Sequence, residues 1–122
     1  MSVLSGRART VIAALLAAAS CAGIADARPS MSRGEQFLNI TEAQCLHRAE
    51  LSYEAAGWVD IASGSTWVKA HKDHYGSFTA CNADASGGVV VNIFVAYDLS
   101  DPTGDLAGGE RTRLQSEMNI DR

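Results

Sequence analysis

Cys45 and Cys81 constrain this chain more than any other pair of residues, because a bond between them ties two distant segments together. Such bonds persist in oxidising compartments and are rare in a reducing cytosol. The N-terminal segment bears on which applies. Arg7 and Arg9 open it with positive charge, residues 11–19 form an apolar run, and Ala25-Asp26-Ala27 supplies a small-x-small cleavage pattern. The run falls short of the roughly 20 apolar residues that span a bilayer. Residues 1–27 therefore read as a signal peptide, and the working molecule starts near Arg28, exported to the periplasm or the medium. Cys21 leaves with that segment. The two remaining cysteines are expected to form one disulfide, worth about 4 kcal/mol in the loop-entropy model. A competing reading takes Ala18-Ala19-Ser20-Cys21 as a lipoprotein site that would anchor the chain through a lipidated Cys21. Ala18 stands where such sites carry a larger aliphatic, so the free form is preferred.

Residues 28–122 suffice for one modest domain, whose limited core benefits from a covalent staple. Losing Arg7, Arg9 and Asp26 moves the formal net charge from −4 to −5. An acidic chain with no clustered Lys or Arg argues against nucleic acid as a partner. No segment after residue 27 is apolar enough to cross a membrane.

Residues 28–40 read as an irregular lead-in to a single domain over 41–122. Thr41 and Gln44 have the spacing of a capping box, Glu42 suits a first helical turn, and Gly57 suits a stop. Between them Cys45, Ala49, Ser52 and Ala56 fall on one helical side. This small-residue side lets the helix lie close to a sheet, with Cys45 aimed into the contact. The period then becomes two. Residues 58–62 and 67–70 read as a hairpin around Ser63-Gly64-Ser65-Thr66. Pairing Ala62 with Trp67, Ile61 with Val68 and Asp60 with Lys69 places Trp58 and Trp67 together on the side away from the helix. Residues 75–82 and 89–97 form two further strands around the turn-forming residues 83–88. The second is rich in β-branched residues, apolar on nearly both faces, and is expected to be a central strand or one covered on both sides. A last helix is predicted over residues 106–118, capped by Asp105, with Leu114 and Met118 inward. Simple alternation sets Phe78 opposite Cys81. If Cys81 faces the first helix, Phe78 needs cover from the last helix or a partner chain.

The chemistry-bearing residues are sparse. His71, Asp73 and His74 lie within four residues, yet a closed zinc site needs four ligands and an open one three plus water. They are weak metal candidates, and no cofactor is expected. No Gly-x-Ser-x-Gly elbow is present, and there is no CxxC pair for thiol redox work. No catalytic residue is assigned. The stronger lead is a face with Trp58 and Trp67, joined by Phe78 if it shares that side, because aromatic anchors dominate many interfaces; the competing reading covers them with the last helix or with Phe37 and Leu38.

The early helix holding Cys45, the tryptophan-bearing hairpin, and the Cys81 strand followed by Gly87-Gly88 and a Val-rich strand resemble small secreted bacterial α+β domains of unassigned activity. The likeness spans roughly residues 40–118 and carries over no catalytic residue. The expected fold is α+β: an N-terminal helix on a four-stranded, mostly antiparallel sheet, closed by a C-terminal helix and one disulfide. The expected function is a non-enzymatic binding or accessory module. Its partner would be an envelope or extracellular protein, met through the tryptophan face or the Ser63-Gly64-Ser65 loop. The alternative is a small metal-dependent or hydrolytic enzyme centred on His71, Asp73 and His74.

Overall fold

The computed structural model describes residues 30–122, so the signal-peptide reading and Cys21 lie outside the described residues. Five strands and two helices follow in the order β1 (Ser30–Leu38), α1 (Glu42–Ala55), β2 (Val59–Ser63), β3 (Trp67–Lys72), β4 (Tyr75–Ala83), β5 (Val89–Tyr97) and α2 (Leu106–Met118). The strands form one sheet ordered β1-β5-β4-β3-β2, antiparallel at every junction. The α+β class is as expected. The sheet has five strands where four were expected, because most of the lead-in pairs with β5 over nine consecutive residues.

Helix α1 forms where its signals place it. Thr41 Oγ1 accepts from Gln44 N at 3.1 Å and Gln44 Oε1 accepts from Thr41 N at 2.9 Å, completing the capping box. At its other end Gly57 takes φ +84°, the left-handed conformation that closes a helix at least cost without a Cβ. The Gly57 and Trp58 amides then donate back to the Glu54 and Tyr53 carbonyls, the paired bonds of a Schellman closure. Cys45, Ala49, Ser52 and Ala56 are buried as the small-residue side predicts. Their low profile lets α1 sit close to the sheet, where Cys45 and Cys81 are joined with Cα atoms 6.1 Å apart.

Strand β5, paired on both sides, is interior to the sheet as expected, and its Val89, Val91, Ile93 and Val95 make the core floor. Each fully buried aliphatic side chain of this kind contributes about 1.5–3 kcal/mol of transfer free energy. Helix α2 covers the β1 and β5 side of the same face through Ala107, Leu114 and Met118. Asp105 occupies its N-cap position but makes no side-chain cap bond. Asp101 does that work instead: its carboxylate accepts from Leu106 N at 3.0 Å, Thr103 N at 3.1 Å and Thr103 Oγ1 at 2.7 Å. The Thr103 hydroxyl bond, first among several donors, holds the Asp101 pKa below its usual range.

One polar network crosses the core. The Tyr53 hydroxyl lies 2.7 Å from both Ser77 Oγ and Thr79 Oγ1, and Ser77 donates to the Phe94 carbonyl at 2.9 Å. Because Ser77 spends its only proton on that carbonyl, Tyr53 donates to Ser77 and Thr79 donates to Tyr53. Burial raises the Tyr53 pKa, so the phenol stays protonated and the chain of donors intact.

Two hairpin expectations are corrected. Val59 pairs with His71, Ala62 with Lys69 and Ser63 with Val68, and the register shifts between Val59 and Ala62. Asp60, at φ +54°, carries the irregularity and breaks simple alternation. Trp58 does not join Trp67 on the far side. The Schellman closure turns it back over the helix, where it lies 3% exposed, edge-on to Tyr53 at 5.5 Å between ring centroids. It is a core residue and not a surface anchor.

Candidate functional site

Both helices lie on one face of the sheet, and no other described element covers the opposite, open face. Strand parity decides what stands there. With Cys81, Thr79 and Ser77 turned to α1, alternation sends Ala80, Phe78 and Gly76 the other way. Cross-strand register then assembles rows on the open face. Arg33 sits opposite Phe94, Phe94 opposite Phe78, and Phe78 opposite Lys69. A second row runs Glu35, Asn92, Ala80, Trp67, and a third runs Met31, Ala96, Gly76, His71.

Three aromatic rings from three strands make a continuous band. Trp67 stacks on Phe78 with centroids 5.7 Å apart, and Phe78 meets Phe94 at 6.5 Å. A cation closes each end: Lys69 Nζ lies 5.7 Å from the Trp67 ring centroid and Arg33 Cζ lies 5.7 Å from that of Phe94. Arg33 is steadied by Asn92 Oδ1, 3.1 Å from Nη2, and by Glu35 Oε2 at 3.3 Å. The Trp67 ring packs against Gly64 in the preceding turn, where any Cβ would overlap the indole. That contact leaves Trp67 half-buried and fixes its orientation.

Beside the band, the small residues Gly76 and Ala96 leave a shallow depression of about 290 Å³, walled by Phe78 and Phe94 with Met31 and Lys69 at its margins. Phe78 and Phe94 remain 39% and 38% exposed. Isolated exposed apolar residues need no explanation, whereas these rings adjoin one another in a single exposed patch. Of the two covers expected for Phe78, the last helix does not supply one, because α2 lies on the opposite face.

The other predicted residues are dispersed. Cys45 and Cys81 form the disulfide on the helix side. Of the two tryptophans, only Trp67 reaches the open face. His71 projects from that face near its edge, whereas His74 lies in the turn after β3 with Nδ1 3.1 Å from Asp98 Oδ1. Among the described residues, no three His, Cys, Asp or Glu side chains converge as metal ligands would. None of the described helices is long and apolar enough to cross a membrane.

Reading the sequence alone misses Phe94, Arg33 and Met31 as members of the open face. Phe94 was legible in principle. Its place in β5 has the opposite parity to Val91, Ile93 and Val95, so once those are inward Phe94 must point out. Comparison with protein-family models, curated proteins and solved structures finds no match to this chain.

Proposed function

We propose that this protein is an exported, non-enzymatic binding module, acting in the periplasm or outside the cell, whose open sheet face engages a protein partner. The observation that carries this reading is the band Trp67–Phe78–Phe94, ended by Lys69 and Arg33, beside an uncovered apolar depression. Rigid aromatic groups lose little conformational entropy on binding and are favoured anchors at interfaces. Strand-borne side chains on a stapled sheet are also pre-organised, which lowers the ordering cost of association. The cations at both ends select a segment whose apolar anchor is flanked by carboxylates. A partner side chain of leucine or phenylalanine size fits over Gly76 and Ala96, with Lys69 within reach of its acidic neighbour. Export is supported by the leader-like residues 1–27 and by the Cys45–Cys81 bridge, which suits an oxidising compartment.

Affinity capture from envelope extract, with the oxidised protein as bait, tests the face. Phe94→Ser and Lys69→Glu should each release the captured partner while leaving the thermal midpoint within a few degrees of the parent. Equal recovery by parent and both variants refutes the assignment. Synthetic peptides from the recovered partner then separate acidic–apolar segments, expected to compete, from basic ones, expected not to.

A further inference from the structure

The two edges of the sheet are built differently. Strand β2 is five residues long, shifts register and carries Asp60 at φ +54°, a kinked edge that resists pairing. Strand β1 is nine residues long and pairs with β5 without a single shift. No described strand pairs with its outer side, which presents a regular row of backbone donors and acceptors, the ordinary template for another strand. Large apolar side chains flank it on the open face: Met31 is 79% exposed and Phe37 54%.

The sequence of this edge is complementary to itself. Around Gly34 it reads Met31-Ser32-Arg33-Gly34-Glu35-Gln36-Phe37, with apolar ends, polar neighbours and opposite charges adjoining the centre. An antiparallel copy aligned with Gly34 against Gly34 sets Arg33 opposite Glu35 and Met31 opposite Phe37, each twice by symmetry. On the other face it sets Ser32 opposite Gln36. Directly opposed residues on one face lie about 4.5–5.5 Å apart at Cβ, close enough for ion pairing and apolar contact. Sliding the register by two residues in either direction loses this match of charges. Arg33 and Glu35 are both half-exposed and already 3.3 Å apart within the chain, so neither is committed to a buried partner.

We infer that β1 is a self-association edge: two copies of this chain pair antiparallel through residues 31–37, with a twofold axis at Gly34, into one ten-stranded sheet. An isologous contact of this kind closes on itself and stops at a dimer. The pairing also joins the two open faces into one surface carrying both aromatic bands. It stands on the β1 edge and shares only Arg33 with each band.

Sedimentation velocity of the oxidised chain, expressed with its own N-terminal segment, tests this between about 1 and 100 µM. Dimer is expected in the upper part of that range. Arg33→Glu and Glu35→Arg should each weaken it by about tenfold or more, since each sets like charges across the axis twice. The double exchange Arg33→Glu/Glu35→Arg restores opposite charges and should return dimerisation to within about threefold of the parent. Cysteine cross-linking reads the register even if a charge variant folds poorly. Met31→Cys mixed with Phe37→Cys should cross-link under mild oxidation, whereas Met31→Cys alone should not, because the two copies of residue 31 lie six residues, about 20 Å, apart. A monomer throughout the range, a dimer indifferent to the single reversals, a double exchange weaker than either single, or cross-links in Met31→Cys alone each overturns the inference. A dimer lost with Phe94→Ser but not with the reversals is a face-to-face contact and overturns it as well.

Discussion

Replacing Tyr53 by phenylalanine removes one oxygen from the centre of the core, and the structure specifies what that oxygen leaves behind. Tyr53 is 1% exposed and Thr79 2%, so water does not readily replace a lost partner. With the phenol gone, Ser77 keeps its bond to the Phe94 carbonyl but loses a donor to its oxygen. Thr79 loses the acceptor for its proton. Each stranded buried group costs about 1–3 kcal/mol, and hydroxyl rotation recovers part of it. A net loss of about 2 kcal/mol is expected, lowering the melting midpoint by about 8–16 °C for a domain of this size. Thr79→Val should cost less, about 1 kcal/mol, because it removes only the donor to Tyr53, whereas Ser77→Ala takes away both the acceptor for the Tyr53 proton and the donor to the Phe94 carbonyl and should cost about 2 kcal/mol. Tyr53→Phe/Ser77→Ala should be less destabilised than the two single losses summed, since the second change removes a group the first has already stranded. Urea titration monitored by tryptophan fluorescence gives all four values on one scale. A Tyr53→Phe loss under about 0.5 kcal/mol, or strict additivity in the cycle, would refute the donor order assigned from Thr79 through Tyr53 to Ser77.

Trp58→Ala should destabilise by about 3–5 kcal/mol, since the ring is core, while Trp67→Ala should cost clearly less; denaturant unfolding compares them, and equal losses contradict the different roles assigned to the two rings. Cys45→Ser/Cys81→Ser, or reductant on the parent, should lower stability by about 2–5 kcal/mol, read from the shift in urea midpoint. Asp101 gives a pH dependence of known sign. Its folded pKa lies below the ordinary 3.8, so its contribution is full above that value and is lost as pH falls through the folded value. The stability gap between parent and Asp101→Asn should therefore be constant near neutral pH and narrow in acid; a gap unchanged or widening in acid counts against Asp101 as the ionised cap of α2.

The parts of the fold legible in the sequence are those where one residue type has a single job. Thr41 with Gln44 starts α1, Gly57 ends it, and the cysteines link α1 to β4. Even the burial of Trp58 was accessible in principle. Accepting Gly57 as a left-handed stop makes Trp58 the residue that folds back onto Tyr53, three positions before the helix cap. Reading Trp58 instead as the first residue of an alternating strand put it on the wrong face. The bulge at Asp60 gave no warning, because aspartate tolerates positive φ without a sequence mark as plain as glycine.

Strand β1 was illegible for a different reason, and that reason also hid Arg33 and Met31 of the candidate site. Period-two recognition depends on an apolar inward face, but β1 turns Ser30, Ser32, Gly34 and Gln36 toward α2. Most of their polar atoms find local partners: Ser32 Oγ accepts from Arg111 Nε at 3.0 Å, Ser30 Oγ from the Ala107 amide at 3.4 Å, and Gln36 Nε2 donates to Asn119 Oδ1 at 3.1 Å, while Gln36 Oε1 stays buried without a partner among the described residues. A Cβ on Gly34 would run into Arg111 and Gln115. Close helix–strand contact thus required residues whose hydropathy pattern resembles a loop. Of the larger apolar residues of β1, Leu38 packs against the core at the strand's end, while Met31 and Phe37 stand on the outer face, where an alternation search discounts them. Two of the three large apolar residues of β1 thus point away from its own core, and packing over Gly88 accounts for only part of the Phe37 ring. Their exposure becomes intelligible when that face and that edge are surfaces of contact, and exchanging Met31 and Phe37 for serine should then cost association while leaving the unfolding midpoint nearly unchanged.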